Sequence, residues 1–320
     1  MRVIAAVVLG YFMVVGKAGS ELGGPAAPKL DEGMTGPAVA ELDRALGIAL
    51  TDEPVAFDEA LDSARRVVTP GGRVVYVPDG CRSVAQPYDL LIHFHGAPTV
   101  MEPAFERSGI GGVLAILNLG IGSGAYEDAF QDPMSLDRLL GRVSSVVRDL
   151  CPSAHAAPAR IALSGWSAGY GAIFRIIDRQ KDAQRVDAVL LSDGLHAGFE
   201  PDGKIKREVN VDQMAPFSLY MDEAVAGRKL MAITHSSIET PYASTTETAN
   251  FLLAQHGVTR VPMQAQGPRP GMVMTSRADA GSFHLQGYAG GKEQAHADHL
   301  HSFGDNLLPY LKELWNTPRG

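Results

Sequence analysis

A serine between two glycines is the feature of this 320-residue chain that most directly suggests chemistry. The pentapeptide is Gly165, Trp166, Ser167, Ala168 and Gly169, which fits the Gly-X-Ser-X-Gly pattern. In that pattern a sharp turn between a strand and a helix exposes the serine hydroxyl, which can then act as a nucleophile. The small flanking residues favour such a turn, because strained backbone leaves little room for side chains.

The sequence on either side of this pentapeptide supplies the strand and the helix that the turn requires. Residues 160–163 are Arg-Ile-Ala-Leu, which is typical of a short buried strand, and residues 170–180 carry apolar side chains at helical spacing. We therefore predict that Ser167 is a catalytic nucleophile. A glycine-rich turn without chemistry is the alternative.

The composition is that of an ordinary globular enzyme. The chain is 45% apolar and 20% charged, with a formal net charge of −8. A chain of about 300 residues can bury one large core or two modest ones. No basic stripe is present that would attract a polyanion, so we expect no nucleic-acid partner and a small or neutral substrate.

The N-terminal residues predict export. Met1 and Arg2 precede an apolar run over residues 3–15, and small residues follow it where a signal peptidase could cut. We predict a signal peptide over residues 1–18 and a secreted or periplasmic protein. After cleavage we expect no membrane span, since an apolar run of about 13 residues is shorter than the ~20 that cross a bilayer.

The two cysteines, Cys81 and Cys151, are predicted to form a disulfide. An even number of cysteines in an oxidising compartment favours pairing. Each cysteine lies ten residues before a predicted core strand, at Leu91 and Ile161, so both fall at the same end of the sheet if those strands are neighbours. Two reduced, unrelated cysteines are the alternative.

The remaining sequence divides into an accessory segment over residues 19–69 and a catalytic domain over residues 70–320. In the second part, apolar runs alternate between strands and helices. The predicted strands cover residues 73–77, 89–94, 113–119, 160–163, 186–191, 230–234 and either 272–275 or 283–288, and the predicted helices cover residues 135–150, 170–180, 212–226 and 298–315, with one more from about residue 246. This order predicts an α/β fold with a mostly parallel central sheet covered by helices on both faces.

With this motif and strand order, residues 70–318 resemble the α/β-hydrolase family of serine esterases and lipases. The resemblance implies a nucleophile, an acid and a histidine in that order along the chain, and no cofactor. It also implies an oxyanion hole formed by a backbone N–H of Gly96 or Ala97, in the turn after a strand, together with that of Ala168. The sequence departs here from the glycine-rich turn of many lipases.

The late histidines are the candidates for the base. His284 falls inside an apparent strand, whereas His296, His299 and His301 fall at the junction between the last strand and the last helix, where the family has its base. We favour His296 because it comes first and is expected to remain in the loop. His299 is the alternative.

The acid is predicted from the ends of the next strands. Asp193 ends an apolar run and is followed by Gly194, so it should emerge beside the serine turn. Glu239, after the next strand, and Glu247 are alternatives. We favour Asp193 because a short carboxylate at a strand end loses less rotamer entropy when it orients a histidine.

A metal centre is an alternative interpretation of the histidines. His93 and His95 are one candidate pair of ligands, but no His-Glu-X-X-His zinc pattern occurs. A dinucleotide fingerprint is also missing, since Gly120 and the glycines after it lack the expected helix and acidic partner. We predict no metal, and we interpret residues 119–128 as an active-site loop with Tyr126 in its wall.

The segment between the sixth and seventh predicted strands, residues 196–228, is short and should form a small cap over an open cleft. Together these features predict a secreted serine hydrolase that cleaves small or polymer-linked carboxylic esters through an acyl-enzyme. A peptidase or amidase with the same triad is one alternative. A noncatalytic binding protein on the same fold is another.

Overall fold

The computed structural model describes residues 66–69, 72–78, 81–201 and 207–317. The predicted signal peptide, and the accessory segment up to residue 65, lie outside the described residues. The last residues assigned to that segment, Arg66–Thr69, form a strand of the sheet.

Ten strands form one sheet in the described part of the chain. They are β1 (Arg66–Thr69), β2 (Arg73–Tyr76), β3 (Tyr88–Phe94), β4 (Val113–Leu117), β5 (Pro158–Trp166), β6 (Ala188–Ser192), β7 (Leu230–His235), β8 (Val261–Gln266), β9 (Val273–Ala280) and β10 (Phe283–Ala289). The α-helices are α1 (Pro98–Ser108), α2 (Ser123–Ala129), α3 (Ser135–Leu150), α4 (Tyr170–Ile177), α5 (Gln180–Arg185), α6 (Val211–Val225), α7 (Thr245–Gln255), α8 (Glu293–His301), α9 (Phe303–Asn306) and α10 (Leu308–Asn316).

The strand order is β1-β2-β4-β3-β5-β6-β7-β10-β9-β8. Strands β4, β3, β5, β6, β7 and β10 run parallel to their neighbours in this series. At the edges, β1 and β2 on one side and β9 and β8 on the other are antiparallel. This mostly parallel sheet, with a helix-covered core on each face, confirms the predicted α/β fold class.

The central strands are buried on both faces. Along β3, Leu90 and Ile92 belong to the core beneath α3, α4 and α6, while Leu91 belongs to the opposite core beneath α1 and α10. A strand covered on both faces has no polar side, which is why these strands appear in the sequence as unbroken apolar runs. Within the described residues, none of the helices is long and apolar enough to cross a membrane.

Several predicted elements needed correction. Residues 119–128, predicted as a loop, contain helix α2. The final helix, predicted over residues 298–315, is three helices, α8, α9 and α10. The two runs offered as alternatives for the last strand are both strands, β9 and β10. Helix α1 escaped the sequence analysis because Pro98 and Pro103 suggest a break, yet Pro98 occupies the first turn, where its missing N–H costs nothing.

The predicted disulfide between Cys81 and Cys151 is present, with a Cα–Cα distance of 5.7 Å. Its prediction depended on β3 and β5 being neighbours, and these strands pair in parallel. The disulfide joins the segments that lead into the two strands, at the end of the sheet opposite to the serine turn.

Close backbone packing holds the start of α4 against β3. A Cβ on Gly169 would collide with the carbonyl oxygen of Phe94, so no larger residue fits there without displacing the strand or the turn. Gly141 offers a matched contrast, because it lies exposed in α3 and a Cβ there would meet nothing within 4 Å.

We expect Gly169→Ala to destabilise the protein by about 1–3 kcal/mol, the usual cost of overpacking. Gly141→Ala should instead stabilise it by up to about 1 kcal/mol, because alanine favours the helix. Urea unfolding of both variants measures the difference. Equal stability of Gly169→Ala and the wild type would contradict the close approach to Phe94.

Candidate active site

Ser167 lies where β5 ends and a short 3-10 turn, Ser167–Gly169, leads into α4. Its φ angle is 48°, in the left-handed region that side chains seldom adopt. The turn is held from the other side by Gly194, where a Cβ would lie 2.7 Å from both the nitrogen and the oxygen of Ser167. The serine therefore has the strained strand-to-helix turn that its flanking glycines predict.

Asp193 follows β6, the strand next to β5, and also has a left-handed backbone, with a φ angle of 43°. Its carboxylate is buried, and both of its oxygens accept hydrogen bonds. The Oδ2 atom accepts from His296 Nδ1 at 2.7 Å, and Oδ1 accepts from the Ser236 N–H and the Thr245 hydroxyl, each at 2.7 Å. These three donors come from α8, from the loop after β7 and from α7, so they fix the carboxylate from several directions.

The surroundings of Asp193 favour its ionised form. Burial opposes ionisation, but the imidazoles of His299 and His296, with the hydrogen bonds from His296 and Ser236, hold the pKa of Asp193 well below its usual range. An ionised carboxylate only accepts hydrogen bonds, so the Nδ1 atom of His296 must donate. In the neutral imidazole, Nε2 then carries a free lone pair.

His296 is buried at the carboxyl ends of the strands, stacked on the indole of Trp166 with ring centroids 4.5 Å apart. The indole N–H of Trp166 also donates to the His296 carbonyl oxygen at 3.0 Å. Within the described residues, the buried His296 Nε2 atom has no hydrogen-bond partner. Because Trp166 directly precedes Ser167, the stacked base lies beside the serine turn. His296 belongs to α8, and the expectation that it would remain in a loop was wrong.

His299, the alternative base, is bonded elsewhere. Its Nδ1 atom lies 2.8 Å from the Thr234 hydroxyl, and its carbonyl oxygen accepts from Ser192 at 3.0 Å. Burial lowers the pKa of His299 to about 4, so it is neutral at neutral pH. His301 is exposed on the same helix. The histidine that donates to Asp193 is therefore His296.

The alternative acids have other surroundings. Glu247 forms a capping box with Ser244 at the start of α7 and is bound by Arg207 at 3.0 and 3.1 Å. Glu239 is exposed in the loop after β7. Of the three candidate acids, Asp193 is the one with a hydrogen bond to His296.

The turn after β3 lies on the other side of the serine turn, and His95 within it has a φ angle of 63°. The Gly96 N–H donates to Asn118 Oδ1 at 2.9 Å, while Asn118 Nδ2 donates to the Gly96 oxygen at 3.0 Å. The N–H of Gly96 is therefore already engaged in a hydrogen bond. Among the described residues, no hydrogen bond takes up the N–H of Ala97 or of Ala168, which favours Ala97 over Gly96 as the donor from this turn. Sequence reasoning missed Asn118, for which the only signal is an amide side chain directly after a strand.

His93 lies in β3, whereas His95 lies in the turn after it, and the two have different hydrogen-bond partners. His93 Nδ1 lies 2.8 Å from Ser164 Oγ, and burial lowers the pKa of His93 to about 3. His95 Nδ1 lies 2.8 Å from the Tyr126 hydroxyl. Tyr126 is fully buried in α2, so it supports His95 from within the protein and does not form a cleft wall. In the described ranges, no group of three potential ligands is placed to hold a metal ion.

Comparison with solved structures returns proteins of related fold at low identity. The chain is similar to the peroxisomal alpha-beta-hydrolase Lpx1 from Saccharomyces cerevisiae (12% identity, 78% of this chain and 83% of that one, TM-score 0.42). It is similar to an acetyl xylan esterase from Aspergillus awamori (12%, 71% and 92%, TM-score 0.38) and to an IroE-like serine hydrolase from Shewanella oneidensis (11%, 78% and 79%, TM-score 0.40). No family model matches, and no curated protein matches. At these TM-scores we base no assignment on the similarities.

The depressed pKa of Asp193 predicts how stability changes with pH. Its ionisation stabilises the fold above its unfolded-state pKa of about 3.9, and this contribution is lost as the pH falls through the folded value. We expect the free energy of unfolding to fall more steeply between about pH 5 and pH 3 in the wild type than in Asp193→Asn. Urea unfolding at each pH measures the slopes.

The Ser167→Ala variant, which removes no carboxylate, should keep the wild-type slope and serves as the control. If Asp193→Asn lost stability with the same slope as the wild type, the low pKa of Asp193 would be refuted.

Proposed function

We propose that the protein is an α/β-hydrolase, and that it is a serine esterase that cleaves carboxylic esters through an acyl-enzyme. Ser167 is the nucleophile, His296 the general base and Asp193 the acid that orients it. One observation carries the proposal: the 2.7 Å bond between Asp193 Oδ2 and His296 Nδ1, in a base whose buried Nε2 atom has no hydrogen-bond partner among the described residues. A buried polar atom without a partner is costly, so a function for it is expected.

In the proposed first step, His296 Nε2 takes the proton of the Ser167 hydroxyl while Oγ attacks the ester carbonyl carbon. The carbonyl oxygen becomes an oxyanion and receives the N–H groups of Ala97 and Ala168. When the tetrahedral intermediate collapses, the alcohol leaves with the proton from Nε2. Water, deprotonated by the same nitrogen, then hydrolyses the acyl-enzyme and restores Ser167.

Trp166 supports this proton transfer. When His296 accepts the proton it becomes a cation, and its ring lies against the face of the Trp166 indole with centroids 4.5 Å apart. An aromatic face attracts a cation, most strongly in tryptophan. The ionised Asp193 on the opposite edge of the imidazole adds a second favourable interaction.

The proposal includes action outside the cytoplasm on small or polymer-linked esters. The disulfide between Cys81 and Cys151 supports export, because such bonds persist in oxidising compartments. The short segment between β6 and β7 supports an open cleft, since α6 is its one α-helix in the described residues. We propose no cofactor, because the mechanism needs none.

A fluorophosphonate probe tests the nucleophile and the base together. We expect the wild type to be labelled at Ser167, Ser167→Ala to be unlabelled, and His296→Asn to react at least about 10³-fold more slowly, because residues of a triad act as a unit. The rate of labelling should fall much less in His299→Asn. Mass spectrometry of the labelled peptide and the rate of labelling are the measurements, with turnover of matched ester and amide substrates alongside.

His284→Asn is the matched control. His284 Nδ1 also contacts an aspartate, Asp279, at 2.8 Å, but on the exposed end of β10. Its replacement removes a similar pair and should leave labelling unchanged. Failure of the folded wild type to react would refute the esterase proposal and favour a binding protein on this fold.

Asn118 provides a test of the oxyanion donors. Asn118→Ala removes both hydrogen bonds between its side chain and Gly96, so the Ala97 N–H should lose its alignment. We expect kcat for an ester to fall by about 10-fold to 100-fold, the usual effect of removing a group that orients a functional residue. KM should change little. Steady-state kinetics separates the two, and an effect on KM alone would contradict this role.

A further inference from the structure

A cleft of about 770 Å³ lies beside the loop that follows β7, between the start of α7 and strand β9. We call it the Arg260 cleft. Most of the residues that line it have polar side chains, among them Asn250, Arg260, Thr275 and Ser276. It contains none of the three proposed triad residues.

Arg260 is the central group of this cleft. Its Nη1 atom donates to His235 Nε2 and to Ser276 Oγ, each at 2.8 Å, and its Nη2 atom donates to Asn250 Oδ1 at 2.8 Å. A guanidinium has five N–H groups, so the Nε–H and one N–H on Nη2 are left. All three acceptors are uncharged, because His235 Nε2 can accept only from a neutral imidazole.

The positive charge of Arg260 has no acidic counterpart in the described residues. No Asp or Glu of the described ranges lies within ion-pair distance of it, and burial lowers the pKa of Arg260 with no acidic side chain from these ranges to offset the effect. Of the two glutamates that line the cleft, Glu247 is bound by Arg207, and Glu239 acts on Arg207 as well. A half-buried charge ordinarily has an opposite charge beside it.

Other arginines of this protein show what the Nε and Nη2 atoms of a guanidinium bind here. Arg160 uses Nε and Nη2 to hold Asp89 at 2.9 and 2.6 Å. Arg228 holds Glu223 through the same two atoms, both at 2.7 Å. Arg207 does so with Glu247. Among the described residues, Arg260 Nε has no hydrogen-bond partner and Nη2 contacts Asn250 Oδ1 alone, where each of these arginines holds a carboxylate.

Ser276 adds a further donor at the same place. Its hydroxyl oxygen accepts from Arg260, and among the described residues its O–H takes part in no other hydrogen bond. The Nε–H, the second Nη2 N–H and this O–H are donors around one cationic group. Such a set matches the oxygens of an anion and has little use for a neutral ligand.

We propose that the Arg260 cleft binds the oxyanion group of a small molecule, a carboxylate or a phosphate, through Arg260 and Ser276. The site does not depend on the proposed esterase activity. The anion supplies the charge that Arg260 lacks, and the size of the cleft leaves room for the body of the ligand.

Titration of the full chain with inorganic phosphate and with succinate tests the site, with ionic strength held constant by sodium chloride. Isothermal calorimetry should give one saturable site for at least one of these anions in the wild type. In Arg260→Gln the affinity should fall by about 10-fold or more, as expected when charged hydrogen bonds are lost. Arg277→Gln is the matched control, because it removes one exposed positive charge from β9, the strand that carries Ser276, outside the cleft.

Asn250→Asp keeps the test decisive if Arg260→Gln does not fold. This change places a carboxylate where the Asn250 oxygen now contacts Arg260 Nη2 at 2.8 Å. The protein should retain its stability and lose anion binding, because the site then carries its own counter-charge. Wild-type affinity in Asn250→Asp, or no binding of either anion to the wild type, would overturn the proposal.

The source of the anionic group can be separated by kinetics. If it belongs to an ester substrate, Arg260→Gln should raise KM for a carboxylate-bearing ester and leave KM for a neutral ester unchanged. If it is a separate small anion, both KM values should stay the same while anion binding is lost. This comparison rests on the proposed function, whereas the titration does not, so the two proposals can fail independently.

Discussion

The geometry of the site depends on the close approach of backbones at the carboxyl ends of three neighbouring strands, β3, β5 and β6. Each strand is followed by a non-glycine residue in the left-handed region: His95, Ser167 and Asp193. Such a conformation costs of order 1–3 kcal/mol. The turns can interlock because glycines stand where the backbones approach, with Gly169 against Phe94 and Gly194 against Ser167. The two cores, one on each face of the sheet, offset the strain. The serine turn, the acid and the turn near the oxyanion site are thus parts of one packing arrangement.

Much of this arrangement follows from local sequence. Buried parallel strands appear as apolar runs, and polar residues directly after them, such as Asp193, fall at one edge of the sheet. What sequence reasoning missed depends on contacts between distant segments. The Gly96 N–H is taken by Asn118 from the end of the adjacent strand, and Tyr126 is turned inward by His95. No local pattern encodes either contact. The roles of Ser167, His296 and Asp193 stay predictions, although a hydrogen bond now links the last two.

Two buried polar systems near the end of β7 contrast in how their charges are balanced. The Asp193 carboxylate has donors on both oxygens and a histidine on one side. Arg260 donates to His235, the residue that precedes Ser236 in the chain, and all of its acceptors in the described residues are neutral. The first arrangement is complete without a ligand except for one imidazole nitrogen. In the second, the positive charge of Arg260 has no opposite charge beside it among the described residues. The former suits a reaction that moves a proton, and the latter suits recognition of an anion.

The disulfide lies at the opposite end of β3 from the turns that carry the site. A strand of seven residues spans roughly 20 Å, so the covalent link reinforces the sheet without touching the residues beside Ser167. Stability and activity often compete when both depend on the same residues. In this protein the disulfide is one source of stability that lies apart from the site. Loops at the carboxyl ends of the strands that take no part in the interlocked turns can therefore diverge in evolution, or be exchanged by design, while the anchored end preserves the scaffold.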